Sequence, residues 1–219
     1  MNLLFDYDGT LHDCIRIYAP AFRMAYAGLV RDGVAGERDY SDEEISLWLG
    51  YTPEDMWAQF KPPIPMPLRE HCTALVGDEM FRLLQAGRAA LYPGAEQVLK
   101  KLKDAGHTLL LLSNCQTSYL EEHRRYFALD RFFTACYCAE PFEYAPKWEI
   151  FETIRAEHPG DYVVIGDRTH DLEIARRNGL PAIGAAYGYG APEELEGTAA
   201  MIGDITQLPG VLDGLFGEG

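Results

Sequence analysis

Basic residues are scarce in this sequence. Lysine and arginine together number 19, against 34 aspartates and glutamates, and the formal net charge is −15 at pH 7. A surface of this charge repels nucleic acid and anionic membranes, so we expect neither as a partner. It also repels phosphorylated compounds at long range. Any phosphate site must therefore be built locally, from a metal ion, a lysine and backbone N–H groups.

Cysteines and long apolar runs are scarce as well. The five cysteines, an odd number, show no disulfide or zinc spacing, although Cys136 and Cys138 leave a metal half-site open beside the favoured interpretation of a core strand. No stretch approaches the length of a membrane span. The apolar start is too short for a signal peptide and is interrupted by Asp6. We therefore expect a cytoplasmic protein.

Residues 15–88 carry helical patterns and no convincing strand. Pro20 favours a first helix that begins near it, because proline is tolerated in the first turn. Ser41 is a typical N-cap for a second helix. The proline-rich segment 61–67 predicts a stiff loop, followed by a longer helix from Leu68 to Gly87. The segment is therefore predicted to be an all-helical insertion.

Strands and helices alternate in the rest of the chain. Apolar runs that predict strands lie at Leu3–Phe5, Thr108–Leu112, within Phe132–Cys138, at Tyr162–Ile165 and at Pro181–Gly184, and a tail of helix and turn follows. Such alternation is typical of a doubly wound parallel sheet with helices on both faces. The predicted fold is thus α/β and Rossmann-like.

Polar residues follow the predicted parallel strands at the points where the strands end. They are Asp6 with Asp8, Ser113 with Asn114, Lys147 before its helix, and Asp167 with Asp171. The carboxyl ends of parallel strands meet at one edge of the sheet, where ligands bind. Carboxylates this close require a cation, and Mg²⁺ prefers oxygen ligands. A hydroxyl, a backbone N–H and an ammonium can bind the remaining phosphoryl oxygens.

Four segments, FDYDGT, LLLLSN, APKWEIF and IGDRTHD, carry these residues in chain order. They resemble the four motifs of the haloacid-dehalogenase-like (HAD) hydrolase superfamily, and the phosphoglycolate-phosphatase-like branch with its inserted helical cap is the most similar. The resemblance implies a HAD-like core at 1–14 and 89–219 and a cap at 15–88. It also implies a Mg²⁺-dependent phosphatase of small phosphomonoesters, such as phosphoglycolate, a sugar phosphate or a nucleotide, which acts through an aspartyl-phosphate.

The resemblance assigns a role to each of these side chains. The catalytic residues it implies are Asp6 as nucleophile, Asp8 as general acid and base, and Lys147 as the cation that neutralises Asp6 and the phosphate. The implied phosphate-binding residues are Ser113, Asn114 and Lys147, and the implied metal ligands are Asp6, Asp8 through its backbone carbonyl, Asp167 and Asp171. A small phosphorylated metabolite is the expected partner, bound by a monomer or weak homodimer.

Alternatives stay open at this point. A phosphomutase resembling β-phosphoglucomutase would return the phosphoryl group to its substrate, and a non-catalytic sensor would only bind a phosphorylated ligand. Asp8 argues for phosphate esters, because the dehalogenase and phosphonate-cleaving branches carry another residue there. Arg168 could contact a substrate anion or form a surface salt bridge, and Tyr51 could contact substrate or lie in a plain turn.

Overall fold

The computed structural model of the chain describes residues 1–61 and 63–217. Its strands are β1 Asn2–Phe5, β2 Thr108–Ser113, β3 Ala135–Cys138, β4 Tyr162–Gly166, β5 Ala182–Ala185 and β6 Ala200–Ile202. Its α-helices are α1 Ile15–Arg31, α2 Asp42–Ser46, α3 Pro53–Ala58, α4 Met66–Gln85, α5 Ala95–Asp104, α6 Thr117–Tyr126, α7 Lys147–Glu157, α8 Thr169–Asn178 and α9 Leu208–Phe216.

The strands form one parallel sheet in the order β3-β2-β1-β4-β5-β6. β1 lies inside it, with Asn2 aligned with Thr108 of β2 on one side and with Tyr162 of β4 on the other. The order reverses around β1, because β2 and β3 follow it on one side and β4 to β6 on the other. In doubly wound sheets this point opens a crevice at the carboxyl ends of the strands. The end of β1 therefore lies where a ligand site is expected.

Helices cover both faces of the sheet. Leu3 and Phe5 of β1 belong to one apolar cluster, which includes residues of α5, α6 and α9. Leu4 belongs to a second cluster, with residues of α7 and α8. Successive residues of a strand point to opposite faces, so the two clusters lie on opposite sides of β1. The predicted α/β fold with a doubly wound parallel sheet is confirmed.

The chain divides into two compact units, one of Met1–Asp13 with Leu91–Gly219 and the other of Cys14–Ala90. These bounds differ from the predicted boundaries by one residue at the first crossing and by two at the second. The described part of the second unit contains α1 to α4 and no strand. Its aromatic centre includes Phe22, Tyr40 and Trp57, whose indole Nε1 donates to Thr73 Oγ1 at 2.9 Å.

The start of α1 corrects the prediction, because the helix begins at Ile15 and continues through Pro20. Pro20 lacks the N–H that would bond to the preceding turn, at a cost of about 3 kcal/mol. Its ring lies on the exposed face, while Ile17 and Phe22 are completely buried. Burying each such side chain contributes about 1.5–3 kcal/mol, so packing outweighs the missing hydrogen bond.

The start of α4 corrects the prediction too. α4 begins at Met66 rather than Leu68, and Pro67 occupies its second position, where the missing N–H costs nothing. Pro62, which belongs to the predicted loop, lies outside the described residues. The N-cap predicted at Ser41 is present, since Ser41 Oγ accepts from Glu44 N and the Glu44 carboxylate accepts from Ser41 N.

The carboxyl-terminal tail contains a strand that was predicted as helix and turn. β6 is only three residues long and pairs with β5 at the sheet edge, with Ile183 aligned with Ala200. Three residues are too few for a period-two pattern to stand out.

Two further expectations concern the cysteines and membrane-spanning helices. All five cysteines are free, and Cys136 and Cys138 lie on β3. No helix in the described ranges is both long and apolar enough to cross a bilayer.

Candidate active site

Lys147 connects two carboxylates at the carboxyl edge of the sheet. Its Nζ donates to Oδ1 of Asp6 and to Oδ1 of Asp171, each at 2.6 Å. Asp6 directly follows β1, Lys147 is the first residue of α7, and Asp171 lies in the first turn of α8. The three side chains are at least 90% buried. The fold thus brings together residues that are more than a hundred positions apart in the chain.

Asp167 completes this cluster from the end of β4. It is completely buried, and its Oδ2 accepts a hydrogen bond from the backbone N–H of Tyr189 at 2.7 Å. Thr10 Oγ1 donates to Oδ1 at 3.4 Å. Carboxylate oxygens of Asp6, Asp167 and Asp171 all lie within 4.8 Å of one another. We call Asp6, Lys147, Asp167 and Asp171 the carboxylate cluster.

Two glycines leave room for this cluster. Gly9 has φ +97°, and a Cβ on it would overlap the carboxylate of Asp167. A Cβ on Gly166 would overlap the side chain of Asp171. Only glycine fits both positions, which gives a physical reason for the glycine in the segments DGT and GDRTHD.

Asp6 and Asp167 hold their protons more strongly than free carboxyls. Burial and the charge of Asp171 raise the pKa of Asp6 to about 7, although Lys147 opposes this shift. Burial, Asp6 and Asp171 raise the pKa of Asp167 well above its usual value. Burial alone would lower the pKa of Lys147, but Asp171 and Asp6 outweigh it and raise that pKa. The cluster therefore has too little positive charge for its acids.

The cluster fits a divalent metal ion. When its three carboxylates and the Lys147 ammonium are ionised, two negative charges lack a counter-charge, which one divalent cation would supply. Hard carboxylate oxygens are the donors that Mg²⁺ prefers. Asp167, whose oxygens contact no lysine or arginine among the described residues, is the most favourable ligand of the set.

Asp8 has different surroundings. Its Oδ1 accepts from His12 Nδ1 at 2.7 Å and from Tyr119 OH at 2.8 Å. Burial would raise the pKa of Asp8, but the hydrogen bonds and charges around it, first that of His12, outweigh burial and lower the pKa. Its side chain is 20% exposed, whereas that of His12 is completely buried.

His12 and Tyr119 were not among the predicted site residues. His12 lies four positions after Asp8 in the turn that follows β1, and this short separation is the local signal that could have indicated the pair. Tyr119 carries no such signal, because α6 brings it to Asp8 from 111 positions away. Tyr7 OH lies 2.9 Å from Nδ1 of His123, one turn after Tyr119 on α6, and extends this buried group.

Of the other predicted residues, Arg168 reaches the cluster through its backbone, since its N–H donates to Asp171 Oδ2 at 3.0 Å. Ser113 is buried at the end of β2 and Asn114 follows it half-buried, and among the described residues neither bonds to a cluster carboxylate. Arg168 Nε donates to Glu194 Oε2 at 3.2 Å, in an ion pair that is largely buried rather than on the surface. Tyr51, in the turn between α2 and α3, is 41% exposed.

Known proteins resemble this chain over most of its length. Residues 3–185 match the family model of the haloacid dehalogenase-like hydrolases. A phosphoglycolate phosphatase from Vibrio vulnificus is 25% identical over 199 residues, which cover 88% of this chain and 86% of that protein. CbbY from Rhodobacter sphaeroides, solved in complex with phosphate, has a TM-score of 0.76 at 22% identity and covers 97% of this chain and 98% of its own.

One relative matches over a shorter stretch. A 5′-nucleotidase from Pseudomonas aeruginosa is 36% identical over 124 residues, or 53% of this chain, and the chain spans about half of that protein's length, 55%. The match to the family model, in contrast, extends over most of the chain. The protein therefore belongs to the haloacid dehalogenase-like hydrolase family.

Proposed function

We propose that the protein hydrolyses small phosphomonoesters with the help of Mg²⁺, through an aspartyl-phosphate formed on Asp6. The observation that carries this proposal is the contact of Lys147 Nζ with both Asp6 and Asp171. An ammonium at this place neutralises the nucleophile and the incoming phosphoryl group, which would otherwise repel each other. Bound Mg²⁺ would supply further positive charge at the phosphoryl oxygens, held by Asp6, the Asp8 carbonyl, Asp167 and Asp171.

In the first step, an oxygen of Asp6 attacks phosphorus while the bond to the ester oxygen breaks. Asp8 gives its proton to the leaving oxygen, so an alcohol departs rather than an alkoxide. Ser113, the last residue of β2, and Asn114 after it donate hydrogen bonds to the phosphoryl oxygens. The products of this step are the alcohol, the phosphorylated Asp6 and an ionised Asp8.

In the second step, water replaces Asp6 on phosphorus. Asp8 takes a proton from the water as its oxygen attacks, and the bond between Asp6 and phosphorus breaks. Inorganic phosphate leaves, and both aspartates return to their starting states. The lowered pKa of Asp8 keeps its carboxylate ionised after the first step, which is the form that accepts the proton of the water.

The substrate is a small phosphorylated metabolite in this proposal. Relatives named as a phosphoglycolate phosphatase and a 5′-nucleotidase support phosphoglycolate and nucleoside monophosphates as the first esters to test, with sugar phosphates next. We propose that residues 15–88 act as the cap that selects among them, and that Tyr51 contributes. The cytoplasm is the proposed compartment, supported by five free cysteines, and a monomer or weak homodimer is the proposed state.

Asp6→Asn tests the mechanism. An amide is no nucleophile, so turnover should fall below a hundredth of the parent rate, while the folded state should keep or gain stability because one charge leaves a repelling cluster. Phosphate release and thermal unfolding measure the two effects. Asp104→Asn, the same change at an exposed helix end, should leave both unchanged. A rate for Asp6→Asn within tenfold of the parent contradicts the proposal.

A substrate panel separates the alternatives. 2-Phosphoglycolate, adenosine 5′-monophosphate, glucose 1-phosphate and p-nitrophenyl phosphate are assayed with Mg²⁺ for released phosphate and, in parallel, for isomerised sugar phosphate. Released phosphate supports the phosphatase. Isomerisation without release supports a phosphomutase, and tight binding without either product supports a sensor.

A further inference from the structure

We propose that His12 and Tyr119 are positioning residues for Asp8: by donating to the same carboxylate oxygen, they leave the other oxygen as the proton carrier. The inference rests on the acid and base role that the proposed function gives to Asp8. It adds a reason why one oxygen of this carboxyl, and not the other, faces the reacting ester.

The two donors converge on a single atom. His12 Nδ1 and Tyr119 OH lie 2.7 and 2.8 Å from Oδ1 of Asp8, and they lie 3.3 Å from each other. One donor comes from the loop after β1 and the other from α6, so two separate parts of the chain constrain the carboxyl rotation. Oδ2 is engaged by neither. The Asp8 side chain is 20% exposed, so part of this largely buried group is accessible.

The ring of His12 is held in one orientation. Tyr7 stacks on it with centroids 5.2 Å apart and planes at 13°, and the His123 ring meets it edge-on at 4.7 Å. Nδ1 is assigned the proton because it faces a carboxylate oxygen. Within residues 1–61 and 63–217, the buried Nε2 has no hydrogen-bond partner.

This unsatisfied nitrogen argues against a purely structural role. Burying a polar atom without a partner costs roughly 1–3 kcal/mol, and an apolar side chain of similar shape would avoid that cost. The contribution of His12 must therefore come through Nδ1, which lies 2.7 Å from the Asp8 carboxylate and 3.3 Å from Tyr119 OH. Tyr119, on α6, donates to the same oxygen of Asp8.

The arrangement suits both halves of the proposed reaction. A carboxyl oxygen can accept two hydrogen bonds whether or not the other oxygen carries a proton. Oδ1 therefore keeps His12 and Tyr119 as Oδ2 loses its proton to the leaving group and regains one from water. No donor has to move between the two steps, so the carboxyl is oriented before each proton transfer.

The test uses the dependence on the leaving group. kcat/KM is measured for p-nitrophenyl phosphate, whose leaving group needs little protonation, and for whichever of 2-phosphoglycolate and adenosine 5′-monophosphate the parent hydrolyses faster. Tyr119→Phe and His12→Leu should lower kcat/KM for that metabolite ester by roughly tenfold or more, because its alkoxide leaving group needs a proton. For p-nitrophenyl phosphate the loss should be less than about threefold. His12→Asn, which can place an amide N–H near the position of Nδ1, should restore part of the loss.

Tyr187→Phe and Asp8→Asn are the two controls for this test. Tyr187→Phe removes a hydroxyl that donates to the Thr10 carbonyl, in the loop after β1, at 2.7 Å, and it should not change the ratio between the two esters. Asp8→Asn should change this ratio strongly, and Tyr119→Phe should add nothing to it in that background. A ratio unchanged by Asp8→Asn overturns the proposed role of Asp8 itself.

The positioning role is wrong, and the contact is structural, if Asp8→Asn changes the ratio but Tyr119→Phe lowers kcat/KM equally for both esters. Tyr119→Phe keeps the ring, so it serves if His12→Leu fails to fold. Thermal unfolding of each variant identifies such a failure.

Discussion

Asp167 differs from Asp6 and Asp171 because it accepts no hydrogen bond from Lys147. Its hydrogen bonds come from a backbone N–H and a hydroxyl, and burial, Asp6 and Asp171 raise its pKa although the charge of Arg168 opposes them. A divalent cation bound here would relieve that repulsion directly. This side chain is therefore the one on which metal affinity should depend most.

Asp167→Asn should raise the Kd for Mg²⁺ at least roughly tenfold, because an amide is a weaker ligand than a carboxylate. Isothermal titration calorimetry measures this without any turnover. Folding should be retained, since Tyr189 N can still donate to the amide oxygen. EDTA should abolish turnover of the parent, and Mg²⁺ should restore it. Equal Kd values for the variant and for Asp104→Asn would contradict the role.

His123 should make the folded state sensitive to acid. Burial and His12 lower the pKa of His123 from 6.5 to about 3, although Asp8 acts in the opposite direction. As the pH falls from 6.5 towards 3, the unfolded chain therefore binds a proton that the folded chain does not. The free energy of unfolding falls by about 1.4 kcal/mol per pH unit in this range from His123 alone.

His123→Gln removes this proton uptake and should flatten the profile by about that slope between pH 6 and 4. Urea unfolding at a series of pH values measures it. His71→Gln, at an exposed position on α4, should leave the profile of the parent unchanged. Parallel profiles for the parent and His123→Gln would mean that His123 is already protonated in the folded state.

The connection from β4 to α8 requires a glycine at position 166, because the Asp171 side chain occupies the space of a Cβ there. A Cβ at Gly166 would overlap the Asp171 side chain, so Gly166→Ala must displace the first turn of α8. We expect a loss of roughly 1–3 kcal/mol in the free energy of unfolding. Activity should fall further than stability explains, because Asp171 leaves Lys147. Chemical denaturation and phosphate release are measured together.

Gly214→Ala is the matched change in α9, where nothing lies within 4 Å of the added Cβ. It should stabilise by up to about 1 kcal/mol, since alanine favours helices. If Gly214→Ala lowers the free energy of unfolding as much as Gly166→Ala does, the overlap with Asp171 is not the cause of the destabilisation.

Several elements could be predicted because their signals are local. β1 and β4 are short apolar runs that end in acids, and the parallel arrangement then places Asp6 and Asp167 at one edge of the sheet. The start of α1 could not be predicted, because it depends on burial of Phe22, which a proline rule does not include. The contact of Tyr119 with Asp8 could not be predicted either, because only the packed position of α6 creates it.

Substrate choice belongs to the whole molecule in our proposal, since the insertion 15–88 is to select esters for a site in the other unit. Tyr51→Ala should lower kcat/KM for the preferred natural ester by roughly ten- to thirtyfold, equivalent to lost contacts of ~1–2 kcal/mol. p-Nitrophenyl phosphate depends on few remote contacts and should be affected much less. Leu47→Ala, at an exposed side chain on the same segment, is the control. If kcat/KM falls equally for both esters, Tyr51 has a structural role and does not select the substrate.

The position of β1 in the sheet has a consequence for how the protein is made. β1 is synthesised first, yet its two neighbours begin at Thr108 and Tyr162. At 5–20 residues per second, the ribosome needs on the order of 10 s to complete the second neighbour. Both edges of β1 are unpaired until β2 is made, and one edge stays unpaired until β4 is made, so this apolar strand can associate with other chains. Chaperone binding to the ribosome-attached chain should therefore persist until β4 has emerged, and a chain truncated before Tyr162 should aggregate instead of folding.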